Sequence, residues 1–170
     1  MTEFIIPFVG LKAGEHVFNY DIGTSFLEKF ENSEIKGIEL SVEVKMVKNN
    51  NLLEFHFQLN GNIQVECDIC LDNVSLPVDY QSYLIAKLEN IEDDEDDIIY
   101  LKPDESEIDI SQFIYESIVF SLPLKRVHPD KRGKNKCNPE MLKKLKSLLV
   151  DNVEETQDPR WNDLKNLLNN

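Results

Sequence analysis

Residues 37–47, GIELSVEVKMV, decide the fold class of this 170-residue chain. Apolar side chains occupy every second position of the segment, which is typical of a strand with one buried face. The same alternation continues in LLEFHFQL at 52–59 and in IQVEC at 63–67. The Asn-Gly-Asn sequence at 60–62 predicts a tight hairpin turn, because Asn and Gly tolerate a positive φ. We therefore expect these three segments to form an antiparallel meander.

Further extended segments lie on both sides of this meander. Residues 3–22 predict two short strands around the turn-prone GLKAGE. A long strand or a pair of strands is expected over 74–89, and IIYLK at 98–102 predicts a short strand. The acidic ENIEDDEDD at 89–97 is typical of a solvated loop.

The apolar period becomes helical in the last third of the chain. A helix is predicted over 110–122, and Pro123 ends it because proline cannot continue the hydrogen-bond ladder. A proline at the first helical position begins a second helix over 139–150, and another begins a third over 159–168.

This order of elements predicts an α+β fold, an antiparallel β-sheet meander packed by C-terminal helices. The length is close to that of one ordinary domain, and 41% of the residues are hydrophobic, which suffices for an apolar core. We therefore expect a single domain over 1–170, β-rich over 1–102 and helical over 109–170.

The cellular compartment is also suggested by the sequence. No apolar run approaches the roughly 18 residues of a membrane span. The first 16 residues contain neither a basic segment nor a small-residue cleavage site, as a signal peptide would. These features and the odd number of cysteines, three, predict a cytoplasmic protein with reduced thiols.

Charge is distributed unevenly along the chain. The formal net charge of −14 argues against nonspecific nucleic-acid binding by the whole surface. Residues 125–146 nevertheless hold nine Lys or Arg against two acids, whereas nine bases face 30 acids elsewhere. A basic cluster of this kind favours contact with an anionic partner such as RNA. Its candidate phosphate contacts are Lys125, Arg126, Lys131, Arg132, Lys134 and Lys136, extended by Lys143, Lys144 and Lys146.

Two cysteines, Cys67 and Cys70, form a CxxC motif at the end of the last meander segment. This spacing lets both thiolates reach one ion from a tight turn. A tetrahedral site needs two more ligands, and the sequence offers His128 and Cys137 in the basic region. Cys67, Cys70, His128 and Cys137 would form a Cys₃His set suited to zinc.

Two other interpretations of the CxxC remain open. The thiols are equally consistent with two small residues buried near a strand end. A redox pair is disfavoured, because a catalytic CxxC lies at a helix N-terminus whereas this one follows a strand. Asp68 and Asp72 are also expected to raise a neighbouring thiol's pKa.

No catalytic signature accompanies these motifs. The sequence contains no Ser/His/Asp pattern, phosphate-binding loop or paired-carboxylate signature, so we expect no enzyme.

Four segments in order resemble the YceD-like family, often named the large ribosomal RNA subunit accumulation protein. They are IPFVGLKAGEHVFNYDI at 6–22, CDICLDN at 67–73, DISQFIYESIVFSLPLKRVH at 109–128 and DPRWNDLKNLL at 158–168. The similarity extends over nearly the whole chain and is greatest to the Bacteroidetes-like branch. It implies a cytoplasmic bacterial protein that supports accumulation or processing of large-subunit ribosomal RNA, with no established catalytic activity.

The resemblance also bears on individual residues. Cys67 and Cys70 match the family's central CxxC, and Arg160 lies in the matching C-terminal DPR. The Arg160 side chain is a candidate contact for RNA or for a protein carboxylate. Many members carry a second cysteine pair after the helix-ending proline, whereas this chain has only Cys137, with His128 as the substitute.

Three functional hypotheses follow from the sequence. In the first, a ribosome-assembly factor binds large-subunit ribosomal RNA or a preribosomal protein through 125–146. In the second, an adaptor uses the acidic run 89–97 to hold a basic ribosomal protein. In the third, the CxxC belongs to a thiol-redox protein. None of them requires a membrane or a small-molecule substrate.

Overall fold

The computed structural model describes residues 4–30, 34–89, 98–129 and 137–148. The chain divides into two compact units, Met1–Cys137 and Asn138–Asn170. The organisation of 1–170 as one domain stays a prediction, and each unit is described by itself.

In the described part of the first unit, the chain forms seven strands, a 3₁₀ helix and an α-helix. The strands are β1 (Ile5–Pro7), β2 (Gly14–Gly23), β3 (Ile35–Lys48), β4 (Leu52–Glu66), β5 (Asn73–Leu88), β6 (Ile98–Leu101) and β7 (Glu107–Asp109), with a 3₁₀ helix at Thr24–Lys29 and α1 at Ser111–Phe120. The larger sheet has the order β2-β3-β4-β5-β6, antiparallel except for the parallel β5–β6 pair. The second unit contains α2 (Pro139–Leu148). The predicted α+β class is confirmed.

One face of the larger sheet forms the core. The alternating residues of β3 and β4, among them Val42 and Phe55, are fully buried, as the period-two pattern predicts. Helix α1 packs on this face: the Phe113 ring lies 4.7 Å from that of Phe57, and the Ser117 and Ser82 hydroxyls are 2.8 Å apart. This packing places the chain that follows α1 close to the sheet.

The predicted hairpin turn at 60–62 is wrong, because these residues lie inside the continuous strand β4. Gly61 has φ +148°, and a Cβ there would overlap the carbonyl oxygen of Glu39 on β3. Glycine therefore permits a close approach of two strands instead of reversing the chain. The meander consists of β3, β4 and β5, and the CxxC lies in the turn between β4 and β5.

The remaining elements follow the sequence prediction in most places. The two strands predicted within 3–22 are present, but β1 pairs with β7 in a separate two-stranded sheet. In the second unit, α2 begins at the expected proline, and the amide N–H of Glu140 donates to the Asn138 side chain at 3.0 Å. The third predicted helix, 159–168, and most of the acidic run lie outside the described residues.

Within the described part of the chain, no helix has the length and apolar character needed to cross a membrane.

Candidate metal centre

The turn between β4 and β5 presents both cysteines of the CxxC from a tight loop. The Cys67 N–H donates to the Asp72 carbonyl at 2.9 Å, and the Leu71 N–H donates to the Cys67 carbonyl at 2.9 Å. Leu71 has φ +64°, a left-handed conformation that costs a non-glycine residue roughly 1–2 kcal/mol. Both thiols are buried. The chain therefore accepts local strain in a turn that directs two thiols inward.

The segment after α1 returns to this turn. The Asp68 N–H donates to the Arg126 carbonyl at 2.8 Å, and the Arg126 N–H donates to the Asp68 carboxylate at 2.6 Å. The Arg126 guanidinium forms an ion pair with Glu34 at 2.8 Å. These contacts bring His128 to the same end of the hairpin as the two cysteines.

The four residues that the sequence groups as metal ligands lie together. The Sγ atoms of Cys67 and Cys137 are 3.7 Å apart, and His128 Nδ1 lies 3.6 Å from the Sγ atoms of Cys70 and Cys137. All four candidate ligand atoms lie within 4.8 Å of one another.

These distances suit a tetrahedral zinc ion. Zinc–sulfur bonds of about 2.3 Å and zinc–nitrogen bonds of about 2.0–2.1 Å place tetrahedral ligands about 3.8 Å apart for two sulfurs and about 3.6 Å apart for sulfur and nitrogen. Three thiols with one imidazole nitrogen also form a common zinc ligand set. The donor types and their separations therefore fit the metal, and the cluster can hold an ion.

Backbone amides act on the Cys67 thiol. Burial raises its pKa, but hydrogen bonds from the N–H groups of Cys70, Ile69 and His128 and from the His128 side chain lower it to about 6 overall. The sequence-based expectation of a raised pKa, argued from two nearby aspartates, is therefore wrong at Cys67. The hydrogen bonds to the sulfur outweigh the effect of burial, which favours the thiolate that a metal ligand requires.

The Cys137 thiol shows the opposite shift. Burial, together with the Cys67 and Cys70 sulfurs beside it, raises its pKa to about 11. A second negative charge next to an existing thiolate is repelled, so the group stays protonated at neutral pH.

The geometry weakens the two other interpretations of the CxxC. Thiol exchange needs an accessible sulfur, whereas Cys67 and Cys70 are 0% and 1% exposed. The pair precedes strand β5 and does not begin a helix. Burial alone does not explain why a histidine 58 residues beyond Cys70 meets the same thiols.

The predicted RNA-contact residues have several locations. Lys125 is exposed in the first unit, and Lys143, Lys144 and Lys146 are exposed on α2. The Arg126 side chain is only 27% exposed and already faces Glu34. Outside the described residues lie Lys131, Arg132, Lys134, Lys136 and Arg160.

Sequence reasoning missed the structural role of Asp68 and Glu34. The sequence did contain a signal for Asp68: it is an acid in the CxxC turn, and the chain has one strongly basic segment with which an acid could pair. That signal was interpreted only as an effect on thiol pKa. Nothing in the local sequence marks Glu34 as a partner of Arg126, since 92 residues separate them.

A comparison with known protein families supports the resemblance to the YceD-like family. A family model described as "Large ribosomal RNA subunit accumulation protein YceD" matches residues 55–168. Neither the curated proteins nor the solved structures include a significant match to the chain. The matched range contains the CxxC, α1 and the DPR segment, but it excludes 6–22, so the similarity is shown over about two thirds of the chain. The chain therefore belongs to the YceD family of large ribosomal RNA subunit accumulation proteins.

Proposed function

We propose that this chain is a non-enzymatic, cytoplasmic ribosome-assembly factor that supports accumulation of large-subunit ribosomal RNA. It binds this RNA through the basic region, residues 125–146. Family membership supports the ribosomal context. The concentration of nine of the chain's 18 bases in that region supports RNA as the ligand.

Phosphate neutralisation is the mechanism of binding in this proposal. Lys and Arg side chains release counterions from the RNA, so affinity falls steeply as salt rises. The acids elsewhere repel RNA from the other faces and restrict it to one orientation.

The cysteine–histidine cluster is proposed to be a structural zinc site formed by Cys67, Cys70, His128 and Cys137. Bound zinc would supply a cross-link between the β4–β5 turn and the basic region. Four protein ligands fill the tetrahedral coordination, which leaves no open position for a reacting water or substrate. A closed set of this kind favours a structural role over a catalytic one.

One observation supports a link between the cysteine–histidine cluster and the proposed RNA-binding region. His128 and Cys137 flank residues 129–136, which contain Lys131, Arg132, Lys134 and Lys136. The two flanking ligand atoms, His128 Nδ1 and Cys137 Sγ, are 3.6 Å apart. A metal held by both would fix the two ends of this basic segment on the body of the protein.

A mobility-shift titration with large-subunit RNA fragments at several salt concentrations tests the proposal. The double variant Lys134→Gln/Lys136→Gln is compared with Lys12→Gln/Lys102→Gln, which removes the same charge from exposed positions outside the region. We expect weaker binding and a salt slope reduced by about two for the first variant alone, roughly one per phosphate contact. Binding that ignores salt, or that both variants weaken equally, contradicts the proposal.

A second candidate is favoured by the exposed face of the larger sheet. Among the described residues, six exposed carboxylates from four strands lie on it: Glu15, Asp21, Glu39, Glu43, Glu66 and Asp79. Two of them, Glu15 and Glu66, form ion pairs with Lys45 and Lys36. Together with the acidic run 89–97, this face would suit an adaptor that holds a basic ribosomal protein before assembly. Replacing the acids of 89–97 with Asn and Gln separates the two functions, because an adaptor then loses its partner while RNA binding persists.

A further inference from the structure

We propose that Asp68 and Arg126 are positioning residues for the cysteine–histidine cluster. They hold the main chain before His128 against the CxxC turn, so that the imidazole stands at its ligand position before any metal arrives. This inference rests on the proposed zinc site.

The first argument is the reciprocal pairing of the two residues. Asp68 donates its N–H to the Arg126 carbonyl at 2.8 Å and accepts the Arg126 N–H on its carboxylate at 2.6 Å. Both main-chain polar groups of Arg126 are thereby bound to one residue, which lies between the two cysteines of the CxxC. Residues 124–129 belong to no helix or strand, so contacts of this kind determine where the segment runs.

The second argument is a further contact at His128 itself. Its backbone N–H donates to the Cys67 sulfur, in addition to the approach of its ring to the thiols. The main chain is thus held beside the turn at residues 126 and 128. With two fixed points so close together, little freedom remains in the position of the main chain from which the imidazole extends.

The Arg126 side chain supplies a third contact. Its guanidinium lies 2.8 Å from the Glu34 carboxylate, directly before β3. The guanidinium is therefore directed at a protein carboxylate, while its assignment as a phosphate contact stays a prediction. Since ion pairs with exposed partners contribute little on their own, the main-chain pairing with Asp68 is expected to dominate the positioning.

If the His128 imidazole is positioned before the metal binds, the cluster should bind zinc more tightly than it would without this positioning. A ligand that is already ordered loses less conformational freedom when the metal binds, and residues that orient ligands typically change metal affinity by about 10–100-fold when they are substituted. Removing the Asp68 carboxylate leaves all four ligands in the chain but releases the Arg126 N–H.

The test measures the zinc affinity of the full chain by competition with a chromophoric chelator. We expect Asp68→Ala to bind zinc about 10–100-fold more weakly than the unsubstituted chain. Asp68→Asn should bind nearly as tightly as the unsubstituted chain, because its amide oxygen still accepts the Arg126 N–H. Asp72→Ala is the matched control: Asp72 is an exposed acid of the same turn that contributes its carbonyl oxygen, which the substitution retains.

The absorption spectrum of the cobalt(II) complex distinguishes a loss of metal affinity from a general loss of stability, because it reports whether the same ligands bind the metal. At saturating cobalt, Asp68→Ala should show the same thiolate-to-metal bands as the unsubstituted chain, since the ligands are the same and only their affinity has changed. If Asp68→Ala does not fold by circular dichroism, Asp68→Ser replaces it, with a side chain too short to reproduce the carboxylate contact.

The outcomes separate this inference from the proposed function. Equal zinc affinity for Asp68→Ala and the unsubstituted chain overturns the positioning role while the zinc site stands. Equal weakening by Asp68→Ala and Asp72→Ala indicates a general charge effect and also overturns it. Absence of zinc binding by the unsubstituted chain removes the zinc site and the positioning role together.

Discussion

Substitution of Gly61 tests the strand arrangement on which the cluster depends. Gly61 lies in the middle of β4, and β4 ends one residue before Cys67. Its φ of +148° is a conformation that residues with a side chain rarely adopt. An added Cβ would also lie 2.9 Å from Leu40 Cα and still closer to the Glu39 carbonyl oxygen. Gly61→Ala should therefore be strongly destabilising.

Two contributions give the size of the effect. Holding alanine in this backbone conformation costs about 1–3 kcal/mol. Forcing β3 away from the new methyl group costs about 1–3 kcal/mol more. The free energy of unfolding should thus fall by about 2–6 kcal/mol, a large part of the roughly 5–15 kcal/mol that stabilises an ordinary domain.

Urea unfolding followed by circular dichroism measures this change. With a slope of about 2 kcal/mol per molar urea, the midpoint should fall by about 1–3 M. Gly10→Ala is the matched control, since a Cβ at Gly10 meets nothing within 4 Å, and its midpoint should stay within about 0.3 M of the original. If Gly61→Ala is as stable as Gly10→Ala, residues 60–62 are not part of a continuous strand and the placement of the CxxC turn is refuted.

Three further predictions concern the metal and the helix that leads to the basic region. Removal of zinc with a chelator should lower the free energy of unfolding of the unsubstituted chain. The decrease should be about 2.7 kcal/mol if free zinc is initially at 100 times its dissociation constant. The melting temperature of Cys70→Ser, which lacks one ligand, should not change when the chelator is added. Ile114→Ala, in the fully buried face of α1, should cost about 2–5 kcal/mol in urea unfolding, whereas Phe120→Ala, at a 73% exposed position, should cost under about 0.5 kcal/mol. Asp109→Ala should cost about 1 kcal/mol, because the Asp109 carboxylate accepts the Ser111 N–H at 2.8 Å at the start of α1; an unchanged urea midpoint contradicts that role.

The strands were predictable because one physical signal dominates them. Alternation of apolar residues identifies the buried face of β3, and in β4 one odd-numbered phase of buried residues runs from Leu53 to Val65. That unbroken phase across Gly61 was the clue that 60–62 continue the strand. An Asn-Gly pair commonly forms a tight turn, but glycine is also used in a strand where another backbone comes close. Here the second use applies, and only the tertiary structure shows the close approach to β3.

The pairing of short elements could not be predicted in the same way. β1 and β7 have three residues each and are about 100 positions apart, so neither carries a period from which a partner can be inferred. Hydrogen bonds between distant segments decide such pairings, and single sequences do not encode them in a local pattern.

The sequence was sufficient to predict the four candidate ligands of the site, but not the hydrogen bonds that hold them in place. Cysteine and histidine are rare in this chain, so a four-ligand set could be selected by chemistry alone, and the structure places those four side chains together. The pairing of Asp68 with Arg126 depends on main-chain groups that every residue possesses, and a sequence does not indicate which of them meet. The lowered pKa of Cys67 was missed for the same reason, since it is caused mainly by hydrogen bonds from main-chain N–H groups.

Crosslinking of the full chain to RNA in growing cells tests the central claim most directly. Irradiation is followed by sequencing of the attached RNA and by mass spectrometry of the attached peptides. The account predicts fragments of large-subunit ribosomal RNA joined to peptides from 125–146, with fewer crosslinks in the Lys134→Gln/Lys136→Gln variant. Crosslinks confined to other parts of the chain, or an attached RNA population without enrichment for the large subunit, would contradict it.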